Sequence, residues 1–286
     1  MPRSLLERIG FFILKLSAAL VVFILATILY DIVSKGVMII DWEFLTNMPR
    51  SGMTAGGILP AIVGTFLVTL ITALLSTPVG IFAAIYLNEY ARKGTLTRII
   101  RMAIRNLSGV PSIVFGLFGV ALFVQGLNLG GSVVSAGLTL GLMTLPVTIT
   151  ASEEALKTVP DSYRQGSLAL GATKWQSIRT NVLPVAVPGM MTGSILGLAR
   201  AAGETAPILF TGAAFYLPQL PDLPGGLFDQ FMALPYHLYI MATQHHSIEK
   251  VRPIAYGTAL VLIILVIIMN LTAIIIRARF LKKMKS

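Results

Sequence analysis

Residues 153–207 read EEALKTVPDSYRQGSLALGATKWQSIRTNVLPVAVPGMMTGSILGLARAAGETAP, and this stretch decides the fold. Its first half is polar, whereas its second half is an apolar helix-forming run that carries one arginine, Arg200, and one glutamate, Glu204. Ionised side chains inside an apolar span are costly and mark a functional site by default. The stretch therefore predicts a surface loop that another protein grips, followed by a span that a charged solute passes.

The composition of the whole chain is that of a membrane protein. Its 286 residues are 55% hydrophobic and 12% charged, with a mean hydropathy of +0.82. A membrane-spanning helix needs about 20 apolar residues, and six runs are long enough, near 11–33, 58–87, 104–127, 133–152, 185–215 and 254–276. We predict an all-α, polytopic membrane protein in which residues 1–286 form one domain of six transmembrane helices, with a cytoplasmic loop at 153–184.

The distribution of lysine and arginine predicts the orientation, because these residues concentrate in cytoplasmic loops. With a cytoplasmic N-terminus, 17 of the 22 basic residues fall on the cytoplasmic side, namely Arg3, Arg8, Lys15, Arg92, Lys93, Arg98, Arg101, Arg105, Lys157, Arg164, Lys174, Arg179, Arg277, Arg279, Lys282, Lys283 and Lys285. We therefore expect both termini in the cytoplasm of a bacterium or archaeon. The net charge of +10 then reflects topology and anionic lipid contact rather than nucleic-acid binding.

The first apolar run predicts a retained anchor rather than a signal peptide. It exceeds the roughly 7–15 residues of a signal-peptide core, and no small-x-small cleavage site follows it.

Signatures of catalysis and of metal binding are missing from the sequence. The chain has no cysteine, no Gly-Lys dipeptide of a phosphate-binding loop, and no H-E-x-x-H or G-x-S-x-G motif. We expect no catalytic residue, no metal and no cofactor on this chain, so an ATP-driven process needs its ATPase on another polypeptide. His237, His245 and His246 are expected to be solvated or to contact an outer partner.

The loop itself predicts two short helices joined at a glycine. Pro160 suits the opening of the first helix and Gly171 its C-terminal cap. Thr173 and Gln176 have the spacing of a capping box that begins the second helix. We expect Pro184 to end that helix as the chain re-enters lipid.

The fifth apolar run combines close-packing glycines with the two charges. The glycines recur every four residues and form a small-xxx-small face, at Gly189, Gly193 and Gly197. Arg200 and Glu204 follow on broadly that face, and Pro207 is expected to bend the helix beside them. Two interpretations stay open: a substrate pathway, in which Arg200 offers planar donors to an anion, or a structural ion pair that neutralises itself.

The loop resembles the EAA loop of ABC importer permeases, whose pattern is E-A-A-x3-G-x9-I-x-L-P. Gln165, Gly166 and Ser167 stand at the E-A-A positions, with glutamine in place of the glutamate and Asn181 in place of the isoleucine. The resemblance implies that the ATPase is contacted by Gln165, Gly166, Ser167, Leu170, Gly171, Ala172, Thr173 and Pro184. The pattern implies only the importer class.

Three further motifs are similar to phosphate permeases of the PstA type: GILPAIVGT at 57–65, GVPSIVFG at 109–116 and ARAAGETAP at 199–207. The similarity implies a type I ABC importer (MetI-like) permease fold and a phosphate path at Arg200, Glu204 and Thr205. It also implies a PstC-type permease, a PstB-type ATPase dimer that binds Mg-ATP, and a periplasmic or lipid-anchored PstS-type phosphate-binding protein. Alternatives are a permease for molybdate or tungstate, a secondary transporter working alone, and a scaffold that reports phosphate status.

Overall fold

The fold was analysed in a computed structural model that describes residues 3–222 and 225–285, with the side chains of 7–222 and 225–279. The basic side chains of Arg3, Lys282, Lys283 and Lys285, part of the predicted cytoplasmic set, lie outside this description. The described chain is mainly helical, and its one sheet is a two-stranded antiparallel hairpin of β1 (Pro49–Arg50) and β2 (Ala55–Gly56).

Five helices are long and apolar enough to cross a membrane. They are α1 (Arg3–Gly36), α3 (Leu59–Ile85), α6 (Val133–Lys157), α9 (Leu183–Ala202) and α12 (Ile248–Lys285). A π-helical turn, Tyr86–Tyr90, extends α3. The bent pair described below adds at most a sixth, so the described residues hold five to six of the six spans that the sequence predicts.

The remaining helices are short and connect these spans. They are α2 (Trp42–Thr46), α4 (Thr95–Leu107), α5 (Ser112–Gly119), α7 (Asp161–Ala169), α8 (Lys174–Ser177), α10 (Ala206–Thr211) and α11 (Leu234–Thr243). Two 3₁₀ turns, Ser51–Met53 and Gly225–Phe228, complete the described elements.

The predicted third span at 104–127 is interrupted in the structure. The helices α4 and α5 meet at an angle of 104°, and a π-helical segment, Val120–Gly126, continues α5. Pro111 causes the break, since a proline disfavours helical backbone in the residue before it. The apolar part after the bend is roughly 20 Å long, and residues 104–107 belong to the helix before it.

The helix α6 lies at the centre of the bundle, between α3 and α9. Small residues allow the backbones to approach: a Cβ at Gly137 would overlap Ile71, and one at Gly80 would overlap Thr148. A bulkier residue at either position would push the two helices apart. By contrast, α1 packs mainly on α12 and leaves most of its surface exposed.

Six buried threonines occupy α3 and α6, and each hydroxyl donates a hydrogen bond of 2.7–3.3 Å to the carbonyl one turn earlier. They are Thr65, Thr69, Thr72, Thr139, Thr144 and Thr148. A buried hydroxyl without a partner costs about 1–3 kcal/mol. The bonds within each helix remove this cost, so polar residues are compatible with a lipid-embedded core.

Candidate functional site

The loop between α6 and α9 forms a compact elbow, defined here as residues 161–177. Its first helix, α7, ends at Ala169, and Gly171 follows the C-cap Leu170. The φ of +85° at Gly171 suits glycine and lets its N–H donate to the carbonyl of Leu168 at 3.0 Å. Thr173 and Gln176 then form the predicted capping box, with side-chain to backbone bonds of 3.3 and 2.7 Å. Both helix ends are therefore satisfied locally, and the elbow is a preformed shape.

The second half of the elbow continues into the membrane span without interruption. The helix runs from Lys174 to Ala202, through a π-helical turn at Ile178–Val182. The prediction that Pro184 ends the helix is wrong. Proline is tolerated here because it lies in the first turn after the π segment, where the hydrogen-bond register shifts and its missing N–H is accommodated.

The outer surface of the elbow is open to solvent. Gln165 and Gly166, at the first two E-A-A positions, are exposed, and the Leu170 side chain is 91% exposed. Three further large apolar side chains, about half exposed, surround it: Tyr163, Leu168 and Trp175. Ser167 is instead turned inward and donates to the carbonyl of Arg164 at 3.0 Å, and Ala172 is partly covered. An exposed apolar patch of this kind marks a protein contact.

A buried ion pair fixes the elbow to the end of α3. Arg164 lies 2.7 Å from Glu89, whose side chain is 6% exposed, and it also donates to the carbonyls of Val159 and Leu156 at 2.8 and 3.0 Å. The hydrogen bonds that Arg164 donates to the Glu89 carboxylate raise the pKa of Arg164 above its ordinary value. On the other side, the Lys174 ammonium lies 5.0 Å from the ring centroid of Tyr90. Both helices of the elbow are therefore held by the same turn of α3.

A second ion pair joins a partly exposed arginine to a buried glutamate near the end of α3. Arg101 of α4 contacts Glu153 of α6 at 2.7 Å and donates to the carbonyl of Leu87 at 2.7 Å. Glu153 is thus a buried residue of α6, since this helix extends to Lys157 and the loop is shorter than the predicted 153–184. Sequence reasoning missed both glutamates as anchors, although Glu89 was visible as a lone acid at the end of a long apolar run.

The predicted fifth span at 185–215 is broken at its charges. The helix ends at Ala202, and α10 begins at Ala206, so Pro207 lies in the first turn of a new helix rather than bending a continuous one. The N–H of Glu204 turns back to the carbonyl of Ala201 at 3.1 Å. Thr205, the third predicted pathway residue, is the partly buried N-cap of α10.

Arg200 and Glu204 form a contact across this break. Arg200 Nε donates to Glu204 Oε1 at 3.3 Å, with side chains 54% and 17% exposed. A guanidinium has five N–H donors, and within the described residues this bond is the one that Arg200 makes. The remaining donors therefore face open space, where an anion can approach.

The three predicted packing glycines lie along α9, opposite α6. A Cβ at Gly189 would come within 2.7 Å of that of Ala155, and one at Gly193 would overlap Ala151. At Gly197 the nearest atom, a Thr148 hydroxyl oxygen, would be 3.7 Å away. The first two positions hold α9 closely against α6, whereas a methyl group at Gly197 would make ordinary van der Waals contact.

Two of the three histidines are buried within the chain. Of the two expectations, solvated or in contact with an outer partner, the first is wrong for His237 and His245. His245 accepts from the N–H of Ser247 at 3.0 Å and lies 2.7 Å from the carbonyl of Gly52. His237 is 2% exposed, and burial together with the nearby His245 lowers its pKa to about 4. Both belong to the segment between α10 and α12, whose compact packing the sequence did not indicate.

Residues 76–286 match the family described as binding-protein-dependent transport system inner membrane component. The chain is 32% identical over 282 residues to the probable ABC transporter permease protein YqgI of Bacillus subtilis (strain 168), a match that covers 96% of this chain and 95% of that protein. It is 38% identical over 223 residues to the phosphate transport system permease protein PstA 1 of Mycobacterium tuberculosis (strain ATCC 25618 / H37Rv), covering 78% and 70% of the two chains.

Two solved structures share the fold. One chain of a bacterial ABC transporter that imports the acidic polysaccharide alginate matches with a TM-score of 0.67 at 14% identity, covering 97% of this chain and 99% of that chain. One chain of the inward-facing MetNI methionine ABC transporter matches with a TM-score of 0.62 at 17% identity, covering 78% and 95%. The predicted importer-permease fold is confirmed.

Proposed function

Because this chain belongs to the family of binding-protein-dependent transport system inner membrane components, we propose that it is the permease subunit of an ATP-driven phosphate importer. The observation that supports phosphate as the substrate is the 38% identity with a phosphate transport system permease over 223 residues. The Arg200 guanidinium at the helix break agrees with this assignment, since its planar donors match phosphate oxygens.

The elbow supports the coupling part of the proposal. Its exposed patch around Leu170 is where an ATPase subunit docks, and its contacts with Glu89 and Tyr90 make it move together with the end of α3. The helix continues unbroken from Lys174 to Ala202, and its last turn contains Arg200. A displacement of the elbow therefore tilts this helix and moves Arg200. ATP binding on the partner thereby opens the pathway alternately to the two sides.

The open side of the charged break supports the need for a second permease. Arg200 is half exposed in this single chain. A second subunit must therefore cover this side before the pathway is closed around Arg200. We expect a PstC-type permease on that side, two PstB-type ATPases with Mg-ATP at the elbows, and a PstS-type phosphate-binding protein at the outer face. The chain is a multi-pass protein of a cell inner membrane, and we propose that both termini are cytoplasmic.

The test is transport by the assembled complex in proteoliposomes. The chain is co-purified with its permease, ATPase and binding-protein partners, and uptake of radiolabelled phosphate is followed with and without ATP. We expect uptake that requires both ATP and the binding protein. Arg200→Lys, which keeps the charge but loses the planar donors, should transport more slowly than the unchanged protein.

Competition distinguishes phosphate from the other candidates. Excess unlabelled phosphate should suppress uptake, whereas molybdate and tungstate at the same concentration should not. Suppression by molybdate alone would assign a different oxyanion. Gradient-driven uptake by the purified chain without an ATPase would make it a secondary transporter and would end the proposal.

A further inference from the structure

The helix α4 separates apolar and basic side chains onto opposite faces. At 100° per residue, one face carries Leu96, Ile99, Ile100, Ala103 and Leu107, and the other carries Arg98, Arg101 and Arg105. The apolar face is unusually open, with Leu96 72% and Ile99 50% exposed, and no residue of α4 is buried. A helix with this pattern is not stabilised by a protein core, so another apolar medium must cover it.

The orientation of α4 places that face toward hydrocarbon. The helix meets the following apolar helix at 104°, and so lies across the direction of the span. Its apolar residues continue directly into the side of α5 and α6, where Ile104 and Leu107 line a groove with Val110, Phe118 and Leu145. A basic amphipathic helix perpendicular to a span has the geometry of an interfacial helix, with one face in the acyl region and the other at headgroup level.

The basic face forms a polar groove of about 510 Å³. Its lining comprises Lys93, Gly94, Thr95, Thr97, Arg98, Arg101 and Arg105. Arg101 is held by Glu153, but in the described part of the chain neither Arg98 nor Arg105 pairs with a carboxylate, and both are exposed. Lys93 is also exposed and pairs with no carboxylate among the described residues. With Arg98 and Arg105 it gives the groove three uncompensated cations at the level where lipid headgroups lie.

We propose that this groove binds the headgroup of an anionic phospholipid while the apolar face of α4 rests in the acyl chains. The inference concerns a lipid site and goes beyond the proposed transport function, since it holds whatever solute the protein carries. Charge complementarity selects the occupant, because each basic residue near a surface favours anionic lipid by about fivefold. Arg101, fixed by Glu153 and by the carbonyl of Leu87, sets the position of the groove above the bundle.

The experiment is a lipid titration of the purified full-length chain, read by native mass spectrometry. Phosphatidylglycerol should bind in preference to phosphatidylcholine, and Arg98→Gln with Arg105→Gln should weaken phosphatidylglycerol binding by about 30-fold. The matched control is Arg50→Gln with Lys250→Gln, which removes the same charge at exposed residues beyond the other end of α3. The control should change the affinity less than twofold.

A second measurement reports the position of α4 without relying on those variants. The chain contains no cysteine, so Ile100→Cys can carry a single fluorophore. In nanodiscs, spin-labelled acyl chains should quench this fluorophore, whereas the same label at Arg98→Cys should be quenched only by labelled headgroups.

Three results would overturn the lipid site. The first is an equal loss of phosphatidylglycerol binding in the control. The second is displacement of the lipid by equimolar inorganic phosphate, which would make the groove a site for free anions. The third is absence of acyl-chain quenching at residue 100, which would place the apolar face of α4 outside the acyl region.

Discussion

The elbow and the charged break each contain an arginine paired with a glutamate, and the two pairs differ in every physical respect. Arg164 is 18% exposed and makes hydrogen bonds to Glu89 and to two carbonyls. Arg200 is 54% exposed and makes a single bond of 3.3 Å to Glu204. Arg164 donates hydrogen bonds to several groups of its own chain, whereas most donors of Arg200 have no partner among the described residues. One is suited to transmit a force and the other to meet a solute.

The two arginines lie at opposite ends of the segment that consists of the elbow and the helix that follows it. The helix from Lys174 to Ala202 has the elbow at one end and Arg200 in its last turn at the other. In the mechanism that we propose, the paired Arg164 lets the elbow move as one piece with α3. An unfixed charge at the far end allows the solute, rather than the protein, to complete the site.

The largest expected effect comes from breaking the buried pair. Arg164→Ala leaves Glu89 ionised and without its partner in a buried position, which typically costs about 3–5 kcal/mol. We expect the free energy of unfolding of the full chain in detergent to fall by this amount. Denaturant unfolding followed by circular dichroism measures it.

The control for this prediction is the double variant Glu89→Gln with Arg164→Gln. Removing both charges leaves neutral amides that can still bond to each other, so the double variant should be more stable than Glu89→Gln or Arg164→Gln alone. Additive losses in this cycle would show that the two residues do not interact, and the contrast with Arg200 would disappear.

The next largest expected effect on the free energy of unfolding comes from His237, a buried group whose charge, unlike that of Arg164, depends on pH. Folding lowers the pKa of His237 from 6.5 to about 4, so the unfolded chain binds more protons between these values. Its neutral form therefore stabilises the fold fully above pH 6.5, and this contribution is lost as the pH falls toward 4. The expected loss is about 3 kcal/mol.

Unfolding measured at pH 7 and at pH 4.5 tests this dependence on pH. His237→Phe removes the titrating group and should flatten the profile over this window. His246→Phe is the matched control, since His246 is exposed in the same segment. An unchanged profile in His237→Phe would assign the acid sensitivity to other groups.

Much of this architecture can be predicted from the sequence because long apolar runs have few alternatives in lipid. The six spans, the glycine turn at Gly171 and the capping box at Thr173 all follow from composition and local spacing. The break within the third span could have been noticed, since Arg98, Arg101 and Arg105 recur at helical spacing before Pro111. Hydropathy averaged over a window hides such a change of direction.

The anchors of the site could not be predicted, because they depend on tertiary contacts. Glu89 and Arg164 are 75 residues apart along the chain, and no local pattern joins them. The end of α9 at Ala202 was also hidden, since alanine, arginine and glutamate all favour helix, and Gly203 alone suggests a stop. The contact between Arg200 and Glu204, one of the two interpretations that the sequence leaves open, is present across the break.

A smaller effect on stability is expected where α9, which joins the elbow to the charged break, packs on α6. Gly193→Ala would bring a methyl group into Ala151, and such overpacking costs about 1–3 kcal/mol. Gly10→Ala is the matched control in α1, where nothing lies within 4 Å of the new methyl group, and it should be neutral or stabilising. Thermal unfolding of both variants measures the difference, and equal melting temperatures would mean that α9 is free to shift away from α6.

The smallest effect on stability, and the sharpest test of the comparison, is expected for Arg200→Ala. An exposed ion pair contributes about 0–1 kcal/mol, so the melting curve should barely change. Phosphate uptake by the assembled complex should nevertheless fall at least tenfold, because each charge-assisted hydrogen bond to the anion is worth about 1.5–3 kcal/mol. The measurement pairs unfolding of the chain with uptake in proteoliposomes.

The opposite combination would reverse the assignment of the two arginines. If Arg200→Ala lowered stability by several kcal/mol while the surviving complex still transported phosphate normally, the pair with Glu204 would be structural. The break at Gly203 would then be a packing feature, and the solute would have to pass elsewhere. Because Arg164→Ala is expected to lower the free energy of unfolding and Arg200→Ala is not, unfolding of both variants together with uptake by Arg200→Ala decides which arginine holds the protein and which meets the solute.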